Sequence, residues 1–308
     1  MTVSSSTSGP LPPVELRRTV VEWFGEEGRR WCDALPGTVA RLTAQWKLSP
    51  GKPLAGATHA LVLDCLRSDG SPAVLKLPFV DDENRAEADA LRLYDGDGAV
   101  RLLDHDPTSG ALLLERLVPG TPLLDLSDRH HALDIACAIL RRLRRPAPEG
   151  HRFPLLRDLA ASWARHLPAE QARLSHPLPR QMVDEAVRLA RDLGAWNGHD
   201  VVVNRDPHLA NFLSARREPW LLIDPKPVVG EAAFDGSYLL VANLEEDATR
   251  NVASSAVERI AAGLGVEPGR ARAWAFVRAV DSALWARSLG DVAKMATLAA
   301  KARLLDVA

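Results

Sequence analysis

No segment of this chain stays apolar for the ~20 residues that a membrane-spanning helix requires, so no such helix is expected. An excess of one charge is missing too. Against 40 Asp and Glu stand 38 Lys and Arg, and the formal charge of −2 gives little electrostatic grip on nucleic acid or an anionic bilayer. Cysteine is scarce. Cys32, Cys65 and Cys137 are odd in number, far apart and set in apolar-leaning stretches. That usage predicts reduced, buried thiols of the cytosol and argues against a disulfide frame or a zinc site. There is no internal repeat and no Walker-type Gly-x-x-x-x-Gly-Lys. Residues 1–13 are Ser/Pro-rich without an apolar core, which predicts a disordered lead-in and no secretory signal.

What is present suits an ordinary globular protein. With 308 residues, 46% hydrophobic and 25% charged, the chain can bury a real core in one large or two smaller domains. Residues 14–48 carry apolar side chains at helical spacing and are predicted as two helices broken at Pro36-Gly37. A β-rich stretch follows. Strands are predicted from Ala60 to Leu66 and from Ala73 to Leu77 across the turn Ser68-Asp69-Gly70-Ser71. A helix capped by Asp81-Asp82 is predicted from about Glu83 to Tyr94, and two further strands over 100–104 and 112–117. After Val118-Pro119-Gly120 the pattern becomes helical over 128–195 and again over 236–307. The expected class is therefore α+β, with a β-rich lobe over 14–118 and a helical lobe over 119–308.

The second region is interrupted by the most informative segment. Asp206 is followed five residues later by Asn211 and eighteen residues later by Asp224. In phosphoryl-transfer enzymes this spacing joins a carboxylate that accepts the substrate hydroxyl proton to an Asn and an Asp that hold magnesium. Between Asn211 and Asp224, two short apolar runs flank the turn Arg216-Arg217-Glu218-Pro219. A hairpin of that length sets Asn211 beside Asp224, and two converging oxygen ligands suit magnesium. A polar loop entering an ordinary hairpin fits the same residues. Lys76 is the single charge in the strand Val74-Leu75-Lys76-Leu77. Glu87 shares a helix face with Ala90, Leu91 and Tyr94, where a carboxylate is costly unless paired. Glu87 is thus the expected partner of Lys76, with Glu83 as the fallback, and a snorkelling lysine as the alternative.

The segments Val203-Asn204-Arg205-Asp206-Pro207-His208-Leu209-Ala210-Asn211 and Ile223-Asp224-Pro225-Lys226-Pro227 resemble the aminoglycoside/hydroxyurea antibiotic-resistance kinase family, which includes the streptomycin 6-phosphotransferases. The similarity runs from about residue 30 to the C-terminus. It implies a bilobal protein-kinase-like fold. It also implies a cytoplasmic enzyme, monomer or homodimer, that uses ATP (or GTP) and Mg2+ to phosphorylate a hydroxyl of a small-molecule antibiotic, with no nucleic-acid or membrane partner. A streptomycin-like aminoglycoside leads as acceptor, with nucleoside-type and other natural products behind it. Asp206 becomes the expected base, Asn211 and Asp224 the metal ligands, and Lys76 with Glu87 the α/β-phosphate pair. Gly56 and Thr58 lie where a phosphate-covering loop belongs, and Leu114–Val118, with Glu115 and Leu117, matches the hinge whose main chain holds adenine. The wider superfamily has His-Gly before the base and Leu after it. Here Asn204-Arg205 and Pro207 stand instead, and Asn204 is expected to anchor the loop through its side chain.

Other residues carry weaker expectations. Lys226 belongs to the Asp224-Pro225-Lys226 segment that replaces the Asp-Phe-Gly of protein kinases, either near the metal and γ-phosphate or packed on its own loop. His208 is expected to be structural, and Arg205 to fix the loop by an ion pair or face solvent. Asp235 is predicted as a helix N-cap, and the resemblance implies that it braces the catalytic loop from outside the site. The run Glu245, Glu246, Asp247 faces solvent or a cationic substrate, while Trp274 and Trp285, flanking Asp281, are expected in the core. Arg141, Arg142, Arg144 and Arg145 read as a solvated helix end. A protein kinase fits poorly, because only ten residues separate Asp224 from Asp235 and no Ala-Pro-Glu follows. A binding protein without catalysis fits poorly as well, since none of the five central residues is lost.

Overall fold

The computed structural model describes residues 12–245 and 247–306, so most of the predicted lead-in and Glu246 lie outside the described residues. The chain divides into two compact units, one ending at Gly120 and the other starting at Thr121.

The first unit contains α1 (Val14–Gln45), β1 (Leu48–Pro53), β2 (Ala60–Arg67), β3 (Pro72–Pro78), α2 (Glu87–Tyr94), β4 (Leu102–Asp106) and β5 (Ala111–Glu115). The five strands form one antiparallel sheet in the order β1-β2-β3-β5-β4. Strand side chains alternate between faces. Leu61, Leu63, Cys65, Ala73, Leu75, Leu77, Ala111 and Leu113 consequently point to one side, where they join Val20, Cys32, Leu35 and Leu42 of α1 in a single buried cluster. Lys76, between Leu75 and Leu77, is left to the opposite side of the central strand.

Two expectations are corrected here, and one missed strand is added. Residues 14–45 form two helical segments joined across a kink, as expected, but the break lies at Gly25 (φ 58°, ψ −127°) and not at Pro36-Gly37, where Pro36 is accommodated inside the helix. Gly25 occupies backbone space that side-chain-bearing residues avoid, which makes it a stronger break than a proline that removes one donor. Strand β1 escapes the sequence pattern, because Pro50 and Pro53 disguise it; both sit on a sheet edge, where a missing N–H is tolerated. Helix α2 begins at Glu87, not near Glu83. Asp81 does act as an acceptor, taking the N–H groups of Glu83 (2.8 Å) and Asn84 (3.0 Å), but it organises a turn ahead of the helix.

Strand β6 (Pro119–Pro122) carries the chain into the second unit. There follow α3 (Arg129–Leu143), α4 (Leu156–Arg173), α5 (Arg180–Gly194), β7 (Val201–Asn204), β8 (Phe212–Ala215), β9 (Trp220–Leu222), β10 (Pro227–Gly230), α6 (Asp235–Asn243), α7 (Arg250–Leu264), α8 (Pro268–Ser288) and α9 (Val292–Leu305). Helix α8 buries Trp274, Phe276, Val277 and Val280 and is the hub of the helical core. Trp285, by contrast, is an exposed aromatic, not a core one. The hairpin β8–β9 forms with Phe212 opposite Leu222. A second antiparallel pair, β7 with β10, sets Asn204 opposite Pro227, and its four-residue strands leave no pattern in the sequence. Among the described residues no helix is long and apolar enough to cross a membrane.

Candidate active site

In the second unit, the site begins where β7 ends. Asn204 is buried, and its Oδ1 accepts two backbone N–H groups, from Asp206 at 3.2 Å and from Lys226 at 3.1 Å. One side-chain oxygen thus ties the loop carrying Asp206 to the loop carrying Asp224. Arg205 N–H donates to the Lys226 carbonyl at 2.8 Å, continuing the β7–β10 pairing into both loops. The Asp206 carbonyl accepts from His208 N–H at 3.0 Å and from Asn211 Nδ2 at 3.3 Å, which closes a tight turn between them.

Asn211 ends a 3-10 turn, Leu209–Asn211, and is itself buried. Its carbonyl accepts Ile223 N–H at 2.7 Å, so the hairpin sets Asn211 against the segment that ends in Asp224. Asp224 holds a left-handed backbone at φ 51°, an uncommon conformation outside glycine. With Nδ2 spent on Asp206, Asn211 Oδ1 accepts no hydrogen bond among the described residues. The donor set is an amide oxygen and a carboxylate, both hard. No cluster of three or more His, Cys, Asp or Glu suited to a metal occurs among the described residues. Such a pair fits magnesium, which takes one or two protein ligands and completes its shell with water and phosphate oxygens.

The Asp206 carboxylate is mostly buried and meets an ammonium, with Lys226 Nζ donating to Oδ2 at 2.9 Å. His208 Nε2 stands farther off, at 3.9 Å, with its ring 6.1 Å from Tyr238. Burial, reinforced by the Asp206 charge, raises the Tyr238 phenol above its ordinary value. Behind the loop, Asp235 is fully buried; it accepts Asn204 N–H at 2.8 Å and Arg144 Nε at 2.9 Å. The bracing of the loop by Asp235 is therefore present. Its side chain caps no helix, because Phe234 holds the N-cap position of α6. Arg144 is not solvated either: it also donates to the carbonyls of Leu264 (2.6 Å) and Ala232 (3.1 Å). Sequence reasoning misses this role, since nothing local to an Arg-rich helix end shows a partner 91 residues away.

In the first unit, Lys76 Nζ donates to both carboxylate oxygens of Glu87 at 2.7 Å each, and both side chains are buried. Glu87, not Glu83, is the partner. Gly56 and Thr58 are exposed in the loop between β1 and β2, Gly56 at φ 100°. The end of that loop is held from α1. The ring of His59 lies 6.2 Å from Trp23 and 6.3 Å from Phe24, while Phe24 stacks on Phe79 at 4.0 Å. Glu115 Oε1 accepts Arg101 N–H at 3.0 Å, and Leu117 is buried.

Comparison with known proteins agrees with this arrangement. The chain is 36% identical over 278 residues to a streptomycin 6-kinase of Streptomyces glaucescens, covering 89% of this chain and 90% of that one. It is 35% identical over 284 residues to a hydroxyurea phosphotransferase of Kitasatospora aureofaciens, covering 91% and 82%. A solved structure of a thermostable mutant of aminoglycoside phosphotransferase APH(4)-Ia, in ternary complex with AMP-PNP and hygromycin B, superposes with a TM-score of 0.61. That match covers 86% of this chain and 96% of that one at 15% identity, which places the fold in the protein-kinase-like class of the aminoglycoside phosphotransferases. The aminoglycoside/hydroxyurea antibiotic resistance kinase family matches residues 45–290, and the chain belongs to that family of phosphotransferases.

Proposed function

We propose that this protein transfers the γ-phosphoryl group of ATP (or GTP) to a hydroxyl of a small-molecule antibiotic, with a streptomycin-like aminoglycoside as the leading acceptor. The observation that carries the reading is the Asp206 carboxylate, fixed through Oδ2 on the loop that presents Asn211, with the loop carrying Asp224 tied to it through Asn204. Asp206 acts as the base. It receives the acceptor's proton as the acceptor oxygen bonds to phosphorus and the bond from the γ-phosphorus to the bridging oxygen breaks, releasing ADP. Asn211 and Asp224 would hold magnesium, which would neutralise charge on the phosphate oxygens. In the first unit, Lys76 held by Glu87 binds the α/β-phosphates, Gly56 and Thr58 contribute to the loop over the phosphates, and the main chain near Glu115 and Leu117 holds adenine. Little covalent help is needed, because positioning and charge neutralisation supply most of the acceleration in this chemistry. The three free, buried cysteines accord with a cytosolic site of action, where ATP is available.

The test is a magnesium-dependent transfer assay over streptomycin, other aminoglycosides, hydroxyurea and nucleoside antibiotics, read by mass spectrometry as a gain of about 80 Da per phosphoryl group. Hydroxyurea belongs in the panel because a relative at 35% identity is a hydroxyurea phosphotransferase. Phosphorylation of streptomycin is the expected result. Silence across the panel, with nucleotide binding demonstrated, overturns the antibiotic acceptor. Asp206→Ala is expected to abolish transfer while nucleotide binding persists, and near-normal turnover would remove Asp206 from the role of base.

A further inference from the structure

Lys226, two residues past Asp224, reaches back from the metal-ligand loop to the base, and its position is set by the base's own loop. The Lys226 N–H donates to Asn204 Oδ1 at 3.1 Å, and its carbonyl accepts Arg205 N–H at 2.8 Å. Asn204 Oδ1 simultaneously holds Asp206 N–H. The backbone of Lys226 is therefore locked to Asn204 and Arg205, the two residues that lead into Asp206, and its buried ammonium returns to Asp206 Oδ2 at 2.9 Å. Lysine and carboxylate form a closed ring of four contacts between two loops.

The carboxylate torsion of an aspartate is soft and roughly two-fold, so an unrestrained Asp206 would present either oxygen over a wide arc. Lys226 removes that freedom by holding Oδ2. Among the described residues Asp206 Oδ1 accepts no hydrogen bond, which leaves that oxygen to take a hydroxyl proton. Proton transfer requires donor and acceptor within hydrogen-bond reach and aligned, so a base free to rotate loses rate without losing affinity for nucleotide.

We propose that Lys226 is a positioning residue of the transfer step, orienting Asp206 so that Oδ1 faces the acceptor hydroxyl. The inference rests on the reading of Asp206 as the base. The sequence left Lys226 either near the metal and γ-phosphate or packed on its own loop; the geometry couples it to the proton acceptor.

The test is a double-mutant cycle in the full chain, with Lys226→Met, Asp206→Asn and both together, each measured for kcat, for the KM of ATP and for ATP binding. Lys226→Met is expected to lower kcat about 100-fold while the KM of ATP stays within about threefold. In the Asp206→Asn background, Lys226→Met is expected to change kcat by less than about threefold, because the residue acts through a carboxylate already lost. Lys226→Leu, which likewise removes the donor to Oδ2, is carried through the same cycle in case the Met variant folds poorly. The proposal is overturned if kcat survives either Lys226 substitution, if the KM of ATP rises in proportion to the loss, or if the losses from the two sites multiply. Full turnover by Asp206→Asn would instead refute the base assignment itself, a separate outcome.

Discussion

The buried pair of the first unit makes a quantitative claim that separates folding from function. Lys76 Nζ contacts both oxygens of Glu87 at 2.7 Å, with side-chain exposures of 10% and 2%. Removing one member of such a pair leaves a charge stranded in an apolar setting and costs about 3–5 kcal/mol. Lys76→Met does this, because Glu87 stays on the α2 face that it shares with Ala90, Leu91 and Tyr94, all buried. Replacing both members with apolar groups of similar size removes the stranded charge, and such replacements are typically neutral or stabilising. Lys76→Met with Glu87→Leu should therefore return to within about 1 kcal/mol of the parent. Urea unfolding followed by tryptophan fluorescence reports on this unit through Trp23, Trp31 and Trp46. The KM of ATP, measured in parallel, should stay raised in the double variant, since the ammonium proposed to bind phosphate is gone while the fold is restored. A loss under about 1 kcal/mol for Lys76→Met, or a double variant less stable than the single, would refute the buried-pair reasoning.

Two further outcomes test how the helices are held. His166 on α4 has Nδ1 3.0 Å from the Ser162 carbonyl and Nε2 2.8 Å from Asp281 Oδ1, so both nitrogens face acceptors, an arrangement that favours the protonated ring. The hydrogen bond to Asp281 raises its pKa above the ordinary value. Its contribution to stability is thus complete below the unfolded pKa of about 6.5 and is lost as pH rises through the raised folded value. Urea midpoints measured across that range should fall more for the parent than for His166→Gln, and parallel profiles would dismiss the link. Gly25 and Gly37 offer a matched pair, since a Cβ at either meets nothing within 4 Å. Gly25→Ala should cost about 1–3 kcal/mol from backbone strain alone. Gly37→Ala, inside the helix, should stabilise by about 0.4–1 kcal/mol. Equal effects in thermal or urea melts would put the bend of α1 elsewhere.

What is legible in the sequence is local. Asn211 and the Ile223-Asp224 segment meet because a short hairpin must bring its open ends together, and Lys76 and Glu87 each stand out as one charge in an apolar pattern. The features that escape depend on partners far along the chain. Arg144 looks like one of four solvated arginines, yet Asp235, 91 residues away, draws it inside. The four-residue strands β7 and β10 are too short for a period to register, and only their pairing gives them identity. Trp285 is expected in the core as an aromatic, and the packing of α8 leaves it outside. At Pro36 the rule for helix breaking is sound in kind but assigned to the wrong residue, because the sequence does not reveal that Gly25 adopts a backbone unsuited to any other residue.

The departure at Asn204 shows what the loop carrying Asp206 requires of its anchor. Where the wider superfamily has histidine, this chain uses a shorter side chain, and the loop still closes because the task is to place one acceptor between two backbone N–H groups. Asn204 Oδ1 does so at 3.2 and 3.1 Å. The cost lies at the other end of the amide: Nδ2 is buried without a hydrogen-bond partner among the described residues. An unmade bond of that kind typically costs about 1–3 kcal/mol. A structure that carries such a loss at the junction of two loops is stabilised there by something else, and Asp235 supplies it by holding the Asn204 N–H from a fully buried carboxylate paired with Arg144. The loop is thus fixed from behind by a charge pair and from within by one amide oxygen. That division leaves Asp206, Lys226 and Asp224 to be arranged for chemistry, with the strength of the scaffold placed one layer deeper.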